Sequence, residues 1–136
     1  MAGQTNLFVY GTLRRGFNHP MGQFLEKEAD FLRRGYIFGL LFDLGPYPVA
    51  VYSDKQDQQI VGDIYAFQEN SNLLSILDDY EGIGELLETG VTFERKQMVV
   101  RLADGSQLDA WVYLHAGYID HLIPIATGDY LAYKCS

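Results

Sequence analysis

Basic charge, cysteine and long apolar runs are all scarce in this 136-residue chain, and each scarcity removes a class of function. Ten Lys and Arg stand against eighteen Asp and Glu, a formal net charge of −8 at pH 7. Nucleic-acid binding needs basic surface to displace counterions from phosphates. The only local basic pairs are Arg14/Arg15, Arg33/Arg34 and Arg95/Lys96, so no nucleic-acid partner is expected. The acidity fits solubility instead. Cys135 is the only cysteine, which excludes an intrachain disulfide and fits a reducing compartment. No apolar run approaches the ~20 residues of a membrane span. The N-terminus also lacks the basic start and apolar stretch of a secretory signal. The expectation is a cytoplasmic protein with no membrane partner.

What is present suits one compact domain over residues 1–136, with 48% hydrophobic and 21% charged residues. Aromatics are abundant, and the ten Tyr suit pocket walls because each offers apolar area with one polar tip. Metal chemistry is not indicated. His19, His115 and His121 have no ligand spacing and read as surface or turn histidines. Asp78-Asp79-Tyr80-Glu81 lacks the spacing of a calcium loop. Cys135 has no base near it in sequence, and Glu85 and Glu88 read as solvated.

Residues 6–10 read as a first strand ended by Gly11, and Pro20 opens a helix running to about Ala29. Residues 36–44 read as a buried strand interrupted by Gly39, followed by short strands at 49–52 and 60–67. A helix over 72–80 takes Asn70 or Ser71 as its N-cap. Residues 92–102 and 108–114 form a hairpin through Asp104-Gly105, and a helical turn or edge strand falls near 129–133. Strands dominate without regular βαβ alternation, so the fold class is α+β with a curled or closed mixed sheet.

The second helix carries the most informative carboxylate. At about 100° per residue, Leu73, Leu74, Ile76, Leu77 and Tyr80 fall on one arc. Extending the helix places Glu81 inside that arc, with Asp78 at its margin and Asp79 pointing away. A buried carboxyl at a helix C-terminus holds its proton more tightly, which suits proton transfer near neutrality. The alternative is that the helix ends before Glu81, an early stop that Gly82 and Gly84 would favour, and turns the side chain to solvent.

At the end of the first strand, Tyr10-Gly11-Thr12-Leu13 leads into Arg14-Arg15-Gly16. Glycine lets backbone approach a ligand closely, and successive N–H groups there can hold a carboxylate or an oxyanion. Neither a P-loop nor a GxGxxG pattern is present. Arg14 and Arg15 read as solvated loop charges. In the strand ending at Leu114, Leu108, Ala110, Val112 and Leu114 share one face and Trp111 and Tyr113 the other. That strand is expected to border a lined cavity, with Tyr113 as a candidate pocket residue.

The turn FVYGTLRRG, with Asn18 shortly after, and the downstream LDDYEG resemble the gamma-glutamylcyclotransferase-like family, of the gamma-glutamylamine cyclotransferase type. Thr92-Phe93-Glu94-Arg95 with Val99-Val100, and Ala110-Trp111-Val112-Tyr113, resemble its later strands in the same order. The resemblance implies a small mixed β-barrel with flanking short helices and an enzyme that needs no cofactor. It also implies Glu81 as the acid/base, with Tyr10, Gly11, Thr12 and Leu13 holding the glutamyl end of a small γ-glutamyl substrate. The implied reaction releases 5-oxoproline from a γ-glutamyl amine or amino acid. Phe93 stands where many members carry Tyr, which bears on specificity. A non-catalytic small-molecule binding module on the same fold is the competing reading, and the oligomeric state is left open. Pocket walls are expected from residues 17–21 and 83–90.

Overall fold

The computed structural model describes residues 3–15, 19–43, 48–53, 58–69, 71–81, 93–115 and 122–135. The elements are β1 (Gln4–Val9), α1 (Pro20–Glu28), β2 (Asp30–Asp43), β3 (Pro48–Tyr52), β4 (Gln59–Gln68), α2 (Leu73–Glu81), β5 (Phe93–Arg101), β6 (Gln107–His115), β7 (Ile123–Pro124) and α3 (Tyr130–Cys135).

Five strands close into a mixed barrel in the order β2-β4-β1-β6-β5, with a β2–β5 pairing at Tyr36↔Arg101 completing the circuit. The β1–β6 pairing is parallel, meeting at Leu7↔Trp111, and the other barrel pairings are antiparallel. Closure leaves the barrel strands without a free edge. Both β3 and β7 pair with the far end of β2. The β5–β6 hairpin turns through Asp104-Gly105, where Gly105 takes φ +90°.

Gly39 does not interrupt its strand as the sequence pattern suggests. Instead β2 runs through it and changes partner there, from Phe38↔Gln59 in β4 to Gly39↔Tyr52 in β3. A Cβ at Gly39 would lie 2.7 Å from the Val51 carbonyl oxygen, so the crossing needs glycine.

Strand alternation sorts the apolar residues into two clusters. One lies within the barrel and includes Phe8, Ile37, Ile60, Ile64, Val100, Ala110, Val112 and Leu114. The other lies on the outer face beneath α1 and α2 and includes Leu7, Val9, Leu13, Leu25, Tyr65, Leu73, Leu77, Phe93 and Tyr113. The inward face of β6 is therefore packed, with Val112 0% exposed. Among the described residues no helix is long and apolar enough to cross a membrane.

Candidate active site

The turn after β1 is held at both ends. Val9 pairs with Asp63 at the last step of the β1–β4 ladder. Tyr10 then turns inward, and its hydroxyl donates to the backbone carbonyl of Tyr113. At Gly11 an added Cβ would meet Pro48 Cγ at 2.8 Å, so β3 begins where only glycine fits. The Arg14 N–H donates to the Gly11 carbonyl at 3.0 Å and closes the turn. Among the described residues, the N–H groups of Gly11, Thr12 and Leu13 make no backbone hydrogen bond. Leu13 is buried in the outer cluster and Thr12 is half-buried.

Behind the turn, α1 begins at Pro20 with His19 as N-cap, its Nδ1 accepting from the Met21 N–H at 3.1 Å. The neutral ring therefore carries its proton on Nε2, which lies 3.2 Å from the Tyr80 hydroxyl of α2. That contact joins the start of α1 to the end of α2. Tyr80 is 43% exposed, so the apolar arc of α2 is narrower than the periodicity implies. Leu73 and Leu77 are the residues it buries.

Helix α2 starts with the Ser71 hydroxyl accepting from the Leu73 N–H at 3.4 Å, and it runs through Glu81. The early stop does not occur, and Glu81 closes the helix one turn beyond the fully buried Leu77. Its side chain lies outside the described residues, as do Gly16, Asn18, Glu85, Glu88 and His121. So does most of the expected pocket wall, residues 17–18 and 83–90.

Tyr113 faces the outer cluster from β6 and is only 4% exposed. Its hydroxyl donates to Asp78 Oδ1 at 2.7 Å. The same oxygen receives Arg95 Nε at 3.1 Å, and the Arg95 guanidinium lies over the Trp111 ring at 4.6 Å. Periodicity placed Asp78 at the margin of the helix without a role. In the fold it pins the last turn of α2 to β5 and β6. Its partners come from other strands, so no local pattern could name them. Tyr10, Tyr113 and Asp78 thus form a connected series from the glycine turn to the helix that ends in Glu81. Phe93 is 4% exposed in the same outer cluster.

Arg14 also departs from expectation. It is 1% exposed rather than a solvated loop charge, with Nη1 2.7 Å from Asp129 Oδ1 and Nε 3.7 Å from Asp63 Oδ1. The two acids respond in opposite directions. Burial raises the Asp63 carboxyl above its usual range, only partly offset by Arg14 and the Arg15 N–H. For Asp129, burial also raises, but hydrogen bonds from the Ala132 N–H and Arg14 outweigh it and lower the carboxyl. Burial and hydrogen bonding together explain the difference. The Asp63 side chain is 4% exposed against 23% for Asp129. Asp129 accepts directly from the Ala132 N–H and Arg14, whereas Arg14 reaches Asp63 only as a longer ion pair. Arg15 is exposed as expected, resting over the Phe31 ring at 4.3 Å. His115, expected at the surface, is 5% exposed at the end of β6. Among the described residues no group of three His, Cys, Asp or Glu could hold a metal ion.

A small closed mixed barrel, with a glycine turn and an acid-terminated helix joined on its outer face, defines a compact α+β class of protein. The chain belongs to the gamma-glutamyl cyclotransferase, AIG2-like family, whose model matches residues 7–132. It is 29% identical over 132 residues to a provisionally named gamma-glutamylcyclotransferase of Methanocaldococcus jannaschii, covering 94% of this chain and 97% of that one. It is 34% identical over 113 residues to the gamma-L-glutamyl-butirosin B gamma-glutamyl cyclotransferase of Niallia circulans, covering 81% of this chain and 66% of that protein. The crystal structure of an AIG2-like protein from Mus musculus superposes with a TM-score of 0.70 at 25% identity, over 93% of this chain and 88% of that one.

Proposed function

We propose that the protein releases 5-oxoproline from a γ-glutamyl amine or amino acid, with Glu81 as acid/base and no cofactor. The observation that carries this reading is the joining of two features. A turn whose N–H groups at Gly11 to Leu13 make no backbone hydrogen bond among the described residues is linked through Tyr10, Tyr113 and Asp78 to the helix that Glu81 ends. Family membership supplies the γ-glutamyl chemistry. A relative named for γ-L-glutamyl-butirosin B supports a γ-glutamyl conjugate as the substrate class.

The substrate carries its own nucleophile. Folding the glutamyl chain so that the α-amine meets the γ-carbonyl makes the reaction intramolecular, and proximity supplies much of the rate. Glu81 takes a proton from the α-ammonium, and the freed amine attacks the γ-carbon. The tetrahedral intermediate collapses as the amide C–N bond breaks, and Glu81 returns its proton to the leaving nitrogen. The second proton of the ring nitrogen passes to the same amine, which departs as an ammonium. No water is consumed. The N–H groups of Gly11 to Leu13 hold the glutamyl end and orient the substrate.

Glu81→Gln tests the assignment, because it keeps the shape and removes the proton carrier. Release of 5-oxoproline should fall by about 10²–10⁴-fold while the circular dichroism spectrum stays native. Near-full turnover would overturn Glu81 as acid/base. Binding without turnover by the wild-type protein, across a panel of γ-glutamyl compounds, would instead favour a binding module.

A further inference from the structure

We infer that Arg14 is a positioning residue for the Tyr10–Leu13 turn, clamping its backbone between β4 and α3 so that the turn's N–H groups stay aligned for a γ-glutamyl ligand. This rests on the reading of that turn as the substrate cradle.

Each arm of the clamp is visible. The Arg14 backbone N–H closes the turn onto the Gly11 carbonyl at 3.0 Å. Its guanidinium lies between Asp63 of β4 and Asp129, which precedes α3. Asp63 serves the same loop twice, because its Oδ2 accepts the Arg15 N–H at 2.8 Å while Oδ1 faces Arg14. Asp129 Oδ1 also accepts the Ala132 N–H at 3.2 Å, so one oxygen caps α3 and holds the arginine. The turn is therefore tied to a strand and a helix from distant parts of the chain.

Arginine is the residue this job requires. Its planar fork reaches two carboxylates along different directions, whereas an ammonium is a single point. A buried cation that loses a partner is strongly unfavourable. The loop between Leu13 and Arg15 consequently has little freedom to shift its backbone, and any ligand held by that backbone depends on the arrangement.

Arg14→Lys and Asp129→Asn test the clamp. In both, KM for a γ-glutamyl substrate should rise about tenfold with kcat within about threefold of wild type, because ground-state positioning is lost and Glu81 is untouched. Hydrogen exchange at the backbone amides of positions 14 and 15 should accelerate about tenfold, with the β4 amides unchanged. A lowered melting temperature with wild-type KM and wild-type exchange at both amides would overturn the inference and leave Arg14 a purely structural residue. If Arg14→Lys fails to fold, Asp129→Asn decides, since its amide oxygen still caps α3. A wild-type protein that releases no 5-oxoproline defeats the proposed reaction, and the exchange measurement then decides whether Arg14 holds the turn.

Discussion

The two apolar clusters of this barrel are similar in composition and opposite in consequence. The inner one is packed mainly by aliphatic side chains, with Ile37, Ile60, Ile64, Val100 and Val112 all 0% exposed and Phe8, Tyr10 and Tyr130 beside them. The outer one is just as dry at Leu7, Leu73 and Leu77, yet polar groups thread it: the Tyr113 hydroxyl reaches Asp78, and Tyr65 carries a buried hydroxyl. Side chains fill the interior of a small barrel, so the interior is scaffold. Directed polar contacts concentrate where helices meet the outer face, and the proposed chemistry sits at the edge of that cluster.

Truncating one buried residue in each cluster tests this division most severely. Ile37→Ala and Leu77→Ala should each lose about 2–5 kcal/mol of stability by cavity formation. Their kinetics should differ. Folded Ile37→Ala should keep wild-type kcat/KM, while Leu77→Ala loosens the turn of α2 that carries Glu81 and lowers kcat. Chemical denaturation and steady-state turnover, both measured below each variant's melting transition, check it. Equal kinetic losses in the two variants would erase the distinction between scaffold and site.

A finer probe stays within the outer cluster. Tyr113→Phe removes the hydrogen bond to Asp78 Oδ1 but keeps the ring and leaves Arg95 on the same carboxylate. A hydrogen bond of this kind contributes about 1–3 kcal/mol because its acceptor is charged. Part of that should appear as a several-fold fall in kcat/KM for 5-oxoproline release. Unchanged turnover would make the Tyr113–Asp78 contact a packing feature only.

Much of this arrangement was legible in the sequence, and the gaps have a common cause. The 3.6-residue period located α2 and placed Glu81 one turn beyond Leu77, because that information is local. The period-2 pattern of β6 correctly put Tyr113 on the face opposite Val112. It could not say which face is covered by a helix and which by other strands. Arg14 and His115 were misread for the same reason. Their burial depends on Asp63, Asp129 and strand closure, all remote in sequence. Asp78 went unassigned because its partners, Tyr113 and Arg95, arrive from a hairpin. Periodicity shows where a side chain points along its own element, whereas partners across the fold depend on topology.

The smallest expected effect falls on Tyr65, and it separates packing from polar function within the outer cluster. The residue is 0% exposed on β4, opposite Leu7 of β1, with Phe31 edge-on at 5.7 Å. Its hydroxyl has no hydrogen-bond partner among the described residues. Burial, with the nearby Glu26 and Asp63 carboxylates, pushes its pKa up to about 12, so it stays neutral at physiological pH. An unpaired buried hydroxyl forfeits its hydration and gains nothing in return. Tyr65→Phe removes that group and preserves the ring, so stability should be unchanged or higher by up to about 1–2 kcal/mol. Kinetic constants should stay at wild-type values. A loss of stability on denaturant titration would mean that the hydroxyl is satisfied in solution, and Tyr65 would then belong with Tyr113 among the directed contacts of the outer face.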